Sequence, residues 1–236
     1  MKNVQRITIN PNQIQDKLVT LTSPQQHYLY RVLRLQKGDK FIAMDGMGKW
    51  WLSQLNTTDA QILQEITVDN ELPIAVNLIV ALPKGNGFDD IVRCCTELGV
   101  TCIAPVIGDR TLLKPSSQKL QRWKRIASEA AEQSERTKIP EILEPVDFKQ
   151  SLSSFQNLEK YICVARGDSP HLLHYLQNHD NKEVVIATGT EGGWTEKEIE
   201  IALGNGFKTA SLGNRILRAV TAPIFAMSLI SGVSEV

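Results

Sequence analysis

Residues 184–222 read VVIATGTEGGWTEKEIEIALGNGFKTASLGNRILRAVTA, and this stretch decides the fold. A short apolar run, Val184 to Ala187, ends at Thr188 and breaks into Gly189-Thr190-Glu191-Gly192-Gly193-Trp194. Thr195 and Glu198 have the T-x-x-E spacing of a capping box, so a helix starts there and runs toward Leu203. Gly204-Asn205-Gly206 stops it. A second strand, Lys208 to Leu212, breaks at Gly213-Asn214 and leads through Ile216-Leu217-Arg218 into a final apolar helix. Two glycine-marked loops thus follow two strands. In an open α/β sheet the carboxyl ends of the strands are where ligands bind.

The loop chemistry restricts the ligand. Glycines let the backbone approach a ligand closely and take positive φ. The spacing is neither G-x-x-x-x-G-K-[ST] nor G-x-G-x-x-G, so neither phosphate-binding motif applies. Glu191 inside the loop repels a polyphosphate and suits a neutral or cationic ligand. S-adenosylmethionine, with its sulfonium and amino group, fits that description. A purely structural strand-to-helix turn is the other reading of the same glycines.

These two loops resemble the SPOUT (α/β-knot) methyltransferases, and most closely the bacterial 16S ribosomal RNA uracil-N3 methyltransferases, the RsmE family. Four further segments agree in order along the chain: His27 with Arg31-Val32-Leu33-Arg34-Leu35; Lys84-Gly85 leading to Thr96-Glu97-Leu98-Gly99-Val100; Trp123 through Glu132-Gln133-Ser134 and Arg136; and Ile139-Pro140-Glu141-Ile142. Two positions depart from the family pattern. Thr190 stands where the family usually has proline. Val220, within Leu217 to Ala222, stands where it usually has a carboxylate.

The resemblance implies an α/β fold: a trefoil-knotted parallel sheet flanked by helices, preceded by a PUA-like β-barrel. The domains expected are 1–72 for RNA binding and 73–236 for methyl transfer, with Leu72-Pro73 as the boundary. S-adenosylmethionine would be held by Leu82, Thr188, Gly189, Glu191, Gly192, Gly193, Leu212, Gly213, Ile216, Leu217 and Arg218. Arg110, Arg136 and Arg218 are candidates for the cation that stabilises the uracil anion as N3 loses its proton. Arg6, Arg31, Arg34, Lys84, Arg122 and Arg125 would contact RNA. The partners implied are 16S rRNA in the small ribosomal subunit and a second copy of the chain. Two alternatives stay open on the sequence alone: a related enzyme acting on another nucleotide, or an RNA-binding ribosome-assembly protein with weakened catalysis, the latter motivated by Thr190 and Val220.

Composition agrees with a globular chain of 236 residues, 42% hydrophobic. With 26 basic and 26 acidic residues the formal net charge is zero, so any RNA site rests on local clustering. The clearest cluster is Arg110 to Arg125, which holds Arg110, Lys114, Lys119, Arg122, Lys124 and Arg125 and no acid. No apolar run reaches the roughly 20 residues of a membrane span. The first residues carry no apolar leader core, so a cytoplasmic location is expected. Cys94, Cys95, Cys102 and Cys163 lack zinc spacing and read as buried free thiols. His171, His174 and His179 lack completing ligands, and no metal is expected.

Between these landmarks the pattern is coarser. Residues 1 to 72 alternate like short strands around one helix from Ser23 to Leu33, with Ser23 as cap and Asp45-Gly46 as a turn. Arg31 and Arg34, spaced i,i+3, would share a face of that helix. Ile74 to Leu82 reads as a strand covered on both faces. A helix follows from Phe88 to Leu98, closed by Gly99, then a strand from Thr101 to Ile107. Glu132 and Arg136 have the i,i+4 spacing of a helical ion pair. The last helix is apolar almost all round, so it is buried in its own domain or covered by a partner copy.

Overall fold

The computed structural model describes residues 4–113, 115–177 and 182–236. Lys114 and His179, named above, lie outside the described residues. The chain divides into two compact units. One comprises Met1–Glu71 with Ala131–Ile139, the other Leu72–Ala130 with Pro140–Val236. Residues 131–139, expected in the second domain, therefore belong to the first unit.

The first unit is built on a sheet of β1 (Arg6–Thr8), β2 (Ile14–Gln15), β3 (Leu18–Thr20), β4 (Lys40–Met44), β5 (Trp50–Leu55) and β6 (Asp59–Ile66), in the order β1-β4-β5-β6-β3-β2. Neighbours pair antiparallel except β1 with β4. This is the PUA-like half-barrel. Alternation places Ile7, Val19, Phe41, Ala43, Leu55 and Ala60 in one core. A smaller cluster joins Ile42, Met44 and Trp50 to Ala131.

The helix expected over 23–33 is two elements. An α-turn, α1 (Ser23–His27), continues as a π-helical turn from Tyr28 to Val32. The cap is Thr22, not Ser23: Thr22 and Gln25 form the reciprocal capping box. Leu33 closes the π turn, and Arg34 takes φ +57°. Arg31 and Arg34 therefore do not share a helical face, because the i,i+3 rule presumes uniform α geometry.

The second unit holds an all-parallel sheet of β7 (Ala75–Ala81), β8 (Cys102–Ile107), β9 (Glu141–Ile142), β10 (Val146–Asp147), β11 (Glu159–Cys163), β12 (Glu183–Thr188) and β13 (Lys208–Ala210). The order is β10-β8-β7-β12-β11-β13, with β9 also on β8. Helices connect the strands: α2 (Gly87–Glu97), α3 (Ser117–Gln133, its last residues belonging to the first unit), α4 (Phe148–Ser151), α5 (Leu172–Leu176), α6 (Glu196–Gly204) and α7 (Thr221–Ser234). Central strands β7 and β12 are buried along almost their whole length, as a sheet covered on both faces requires. Of the buried polar residues in these strands, Asn77 donates to Glu183 Oε1 at 2.8 Å across the β7–β12 seam. Gly99 ends α2 at φ +92°, where a Cβ would lie 2.6 Å from Leu72 Cγ. Both constraints demand glycine.

The four cysteines are free, three of them buried. The apolar α7 buries Pro223, Ala226, Met227 and Ile230 and leaves Ile224, Phe225 and Leu229 only partly covered. No helix among the described residues is long and apolar enough to cross a membrane.

In the first unit the principal buried charge is Arg136, with its side chain 5% exposed. Its Nη2 donates to Glu71 Oε2 at 2.6 Å and its Nε to the same oxygen at 3.1 Å. Glu71 Oε1 accepts the backbone N–H groups of Thr137 and Lys138 at 2.8 and 2.9 Å. Burial alone would raise the Glu71 carboxyl; the hydrogen bonds and charge of Arg136, helped by these amides, hold it below the usual carboxylate range. α3 ends at Gln133 and Glu135 takes φ +63°, so Glu132 and Arg136 do not sit one turn apart on a helix. A depressed carboxyl contributes stability that is complete above the ordinary carboxylate range and is lost as pH falls through its folded value. Glu71→Gln should lower unfolding free energy by about 3 kcal/mol, because it removes the carboxylate charge that faces a buried guanidinium. Urea titrations by tryptophan fluorescence should show that the wild type loses this advantage on acidification while the variant's stability changes less. Equal stabilities at neutral pH would contradict it.

Candidate functional site

Because every strand of the second unit runs parallel, the carboxyl ends of β8, β11, β12 and β13 share one edge of the sheet. A cavity of about 600 Å³ opens there. Residues 163–166 at the end of β11, 188–194 at the end of β12, and 212, 213 and 215–217 after β13 supply most of its wall, with Arg110 after β8 and Glu196 and Ile199 of α6.

A buried carboxylate anchors the far end of the β12 loop. Glu198 is 4% exposed. Its Oε2 accepts the N–H and hydroxyl of Thr195 at 2.7 and 2.9 Å, and Thr195 Oγ1 in turn accepts the Glu198 N–H at 3.2 Å. This is the capping box expected from the sequence. Its Oε1 does something the local pattern does not reveal: it accepts the N–H of Asp109 at 2.9 Å, tying the β8 loop to the β12 loop. Thr195 Oγ1 lies 3.1 Å from Asp109 Oδ2 as well. Gly108 makes this approach possible, since a Cβ there would lie 2.6 Å from Glu198 Oε1. Arg110 then donates through Nη1 to the carbonyl oxygens of Gly192 and, at 3.1 Å, Trp194. Glu191 Oε1 accepts the backbone N–H of Lys84 at 3.0 Å and so ties the β12 loop to the loop after β7.

Glycines give the loop its path. A Cβ on Gly189 would lie 3.0 Å from the Gly193 carbonyl carbon, and one on Gly192 would lie 3.0 Å from Arg110 Cδ. Gly193 and Gly213 take φ +69° and +103°. Beneath the loop, Trp194 lies against Phe148 with ring centroids 4.4 Å apart.

Of the expected donor contacts, Thr188, Gly189, Glu191, Gly192, Gly193, Leu212, Gly213, Ile216 and Leu217 all line the cavity. Leu82 does not: it is 1% exposed, inside the core at the end of β7. Nor does the exposed Arg218; its carbonyl accepts the N–H groups of Thr221 and Ala222 where α7 begins. Arg110 lines the cavity but spends donors on the loop. Arg136 belongs to the first unit and its Glu71 pair. Sequence reasoning missed Arg166 and Arg215, both exposed and both lining the cavity. The available signal was position: Arg166-Gly167-Asp168 directly follows a strand of a parallel sheet.

The residues present fit S-adenosylmethionine on three counts. The cavity is of small-ligand size. Its wall mixes exposed backbone with apolar Leu212, Ile216 and Leu217 and the carboxylates Glu191 and Glu196. Three buried polar atoms of this strand and loop, Thr188 Oγ1, Thr190 Oγ1 and Trp194 Nε1, have no hydrogen-bond partner in the protein, so they remain able to meet a polar ligand or water. Burial pushes the Cys163 thiol up to about 12, so it stays protonated and is no nucleophile.

The expected RNA contacts divide similarly. Arg6 pairs with Glu135 at 2.7 Å and lies over the Trp50 ring at 5.2 Å. Arg122 pairs with Asp89 at 2.8 Å, Arg125 with Glu129 at 3.5 Å. Arg31 lines a shallow depression of the first unit with Ser23, Gln26, His27 and Tyr30. Arg31, Arg34 and Lys84 are exposed. Among the described residues no group of His, Cys, Asp and Glu is arranged to hold a metal ion.

Comparison with known proteins adds the lineage. Residues 70–231 match the family model of the RNA methyltransferase domain, and residues 21–63 that of the RNA methyltransferase PUA domain. Ribosomal RNA small subunit methyltransferase E of Synechocystis is 50% identical over 236 residues, covering 98% of this chain and 78% of the relative. The Bacillus subtilis protein of the same name is 33% identical, covering 92% of this chain and 90% of its own. A crystal structure of ribosomal RNA small subunit methyltransferase E from Neisseria gonorrhoeae, bound to S-adenosylmethionine, superposes with a TM-score of 0.87 at 31% identity over 95% of each chain. With a family model spanning most of its length and a relative at half identity across nearly all of it, this chain belongs to the ribosomal RNA small subunit methyltransferase E family, the RsmE family.

Proposed function

We propose that this protein transfers the methyl group of S-adenosylmethionine to N3 of a uracil in 16S ribosomal RNA of the small subunit. One observation carries the reading: the glycine-built loops after β12 and β13 jointly wall a cavity at the carboxyl edge of the sheet, in a chain of this family. Backbone groups of Thr188 to Gly193 and of Leu212 to Leu217 hold the donor. Glu191 and Glu196 favour its cationic groups. When bound, S-adenosylmethionine supplies an electrophilic methyl carbon on its sulfonium. The protein's task is to hold N3 in line with that carbon and to stabilise the base as its N3 proton leaves. A base in structured RNA must also be turned out of its stack to enter such a cavity.

Arg31, Arg34 and Lys84 are the exposed cations we assign to RNA phosphates; Arg6, Arg122 and Arg125, already paired, are secondary. The partly covered apolar residues of α7 suit a second copy of the chain, so the working form is a homodimer acting in the cytoplasm.

Three measurements test these assignments. Labelled donor incubated with small ribosomal subunits that lack the modification should yield N3-methyluridine in the 16S RNA by mass spectrometry; donor binding without transfer would favour a catalytically weakened RNA-binding protein. Gly192→Val should lower donor affinity at least tenfold by calorimetry with little change in melting temperature, because the side chain must displace Arg110 or enter the cavity; wild-type affinity would remove this loop from the site. Replacing Arg31 and Arg34 with alanine should weaken RNA binding and reduce the slope of log K against log salt by about 0.7 for each phosphate no longer neutralised. An unchanged slope would place the phosphates elsewhere.

A further inference from the structure

Deprotonated uracil carries its charge on N3 and on the flanking oxygens O2 and O4. Whatever cation stabilises it must reach the cavity and have hydrogen-bond donors to spare. Arg110 has its Nη1 committed to the carbonyls of Gly192 and Trp194. Arg136 is committed to Glu71, and Arg218 lies off the cavity wall. Two guanidinium groups reach the cavity with all their donors uncommitted, whereas Arg110 keeps only Nε and Nη2. Arg166 and Arg215 line the cavity, and among the described residues neither has a hydrogen-bond or ion-pair partner.

Their placement follows from the sheet. β11 and β13 are adjacent and parallel, with Cys163 opposite Ala210. Arg166 stands three residues past Cys163 and Arg215 five past Ala210, so both leave the sheet at one edge, beside each other in strand order. Gly213, at φ +103°, turns the chain just before Arg215. Next to it Ile216 is 64% exposed although apolar, and it lines the same cavity. An exposed aliphatic surface beside a planar fork of N–H donors matches the face and the oxygen-bearing edge of a pyrimidine. Glu191 and Glu196 belong to the β12 loop and α6, the portion of the wall suited to a cationic donor.

Building on the proposed function, we infer that Arg215 is the catalytic cation, donating to a uracil carbonyl oxygen as N3 loses its proton, with Arg166 adding to the same positive field and Ile216 supporting the ring. In the step the N3 proton passes to solvent water, the N3–CH₃ bond forms and the S–CH₃ bond breaks, leaving a neutral thioether.

The test uses the full-length protein with small ribosomal subunits lacking the modification. Wild type, Arg215→Ala, Arg215→Lys and Arg166→Ala are compared by donor calorimetry and by kcat at saturating RNA from about pH 6 to pH 10. A cation that stabilises the anion places the rising limb of the profile at lower pH. Arg215→Ala should lose at least tenfold in kcat near neutrality, recover toward wild type in alkali as the limb moves up by about one unit, and keep donor affinity within a few-fold. Arg215→Lys should restore part of the rate and Arg166→Ala should shift the limb less. A reduced kcat with an unmoved limb would mark Arg215 as merely structural and overturn the inference, as would an unaffected rate. Wild type that binds donor but methylates no uracil would overturn the underlying function, and this role with it.

Discussion

A single carboxylate organises the functional edge of the second unit. Glu198 caps α6 with one oxygen and with the other secures Asp109, in a loop 89 positions earlier in the chain. Buried carboxylates are tolerated only when their lone pairs are met, and here backbone amides and a hydroxyl meet them. With these two loops joined, Arg110 reaches the carbonyls of Gly192 and Trp194, and the β12 loop acquires a defined path. Preorganisation of this kind matters because a donor-binding backbone that had to be ordered on binding would lose affinity to that ordering.

The rest of the site depends on strand direction. Parallel pairing gathers loops that are far apart in sequence onto one edge, so residues 110, 166, 191 and 215 line a single cavity. Charge is apportioned along its wall. Carboxylates come from the β12 loop and α6, while uncommitted guanidinium groups come from the loops after β11 and β13. Opposite charges thereby occupy different portions of one surface. Val220, where the family pattern has a carboxylate, packs against the start of α2: a Cβ on Gly87 would lie 2.7 Å from Val220 Cγ2. Its role in this chain is packing rather than charge.

What the sequence disclosed was local chemistry. The capping box at Thr195 and Glu198, the buried runs of β7 and β12, the Gly99 terminator and the two glycine loops all depend on near neighbours, and the structure has each of them. Positions set by distant pairing were hidden. Nothing near Arg136 announces Glu71, 65 positions away. Nothing near Leu82 indicates that its side chain turns into the core instead of the cavity. Arg166 sits in an ordinary loop until β11 is known to lie beside β12 and β13. The π turn at Tyr28–Val32 defeats the helical-face argument for Arg31 and Arg34 because spacing rules assume one helical period.

The return of residues 131–139 to the first unit has a consequence for how this protein can be divided. A fragment ending near residue 72 carries all six strands of the half-barrel but leaves Glu71 without Arg136, Arg6 without Glu135 and Trp50 without Ala131. The half-barrel unit is therefore not a transferable cassette. Its chain is interrupted by an insertion from the neighbouring module, and recombination at the apparent border would separate a fold from its own final segment.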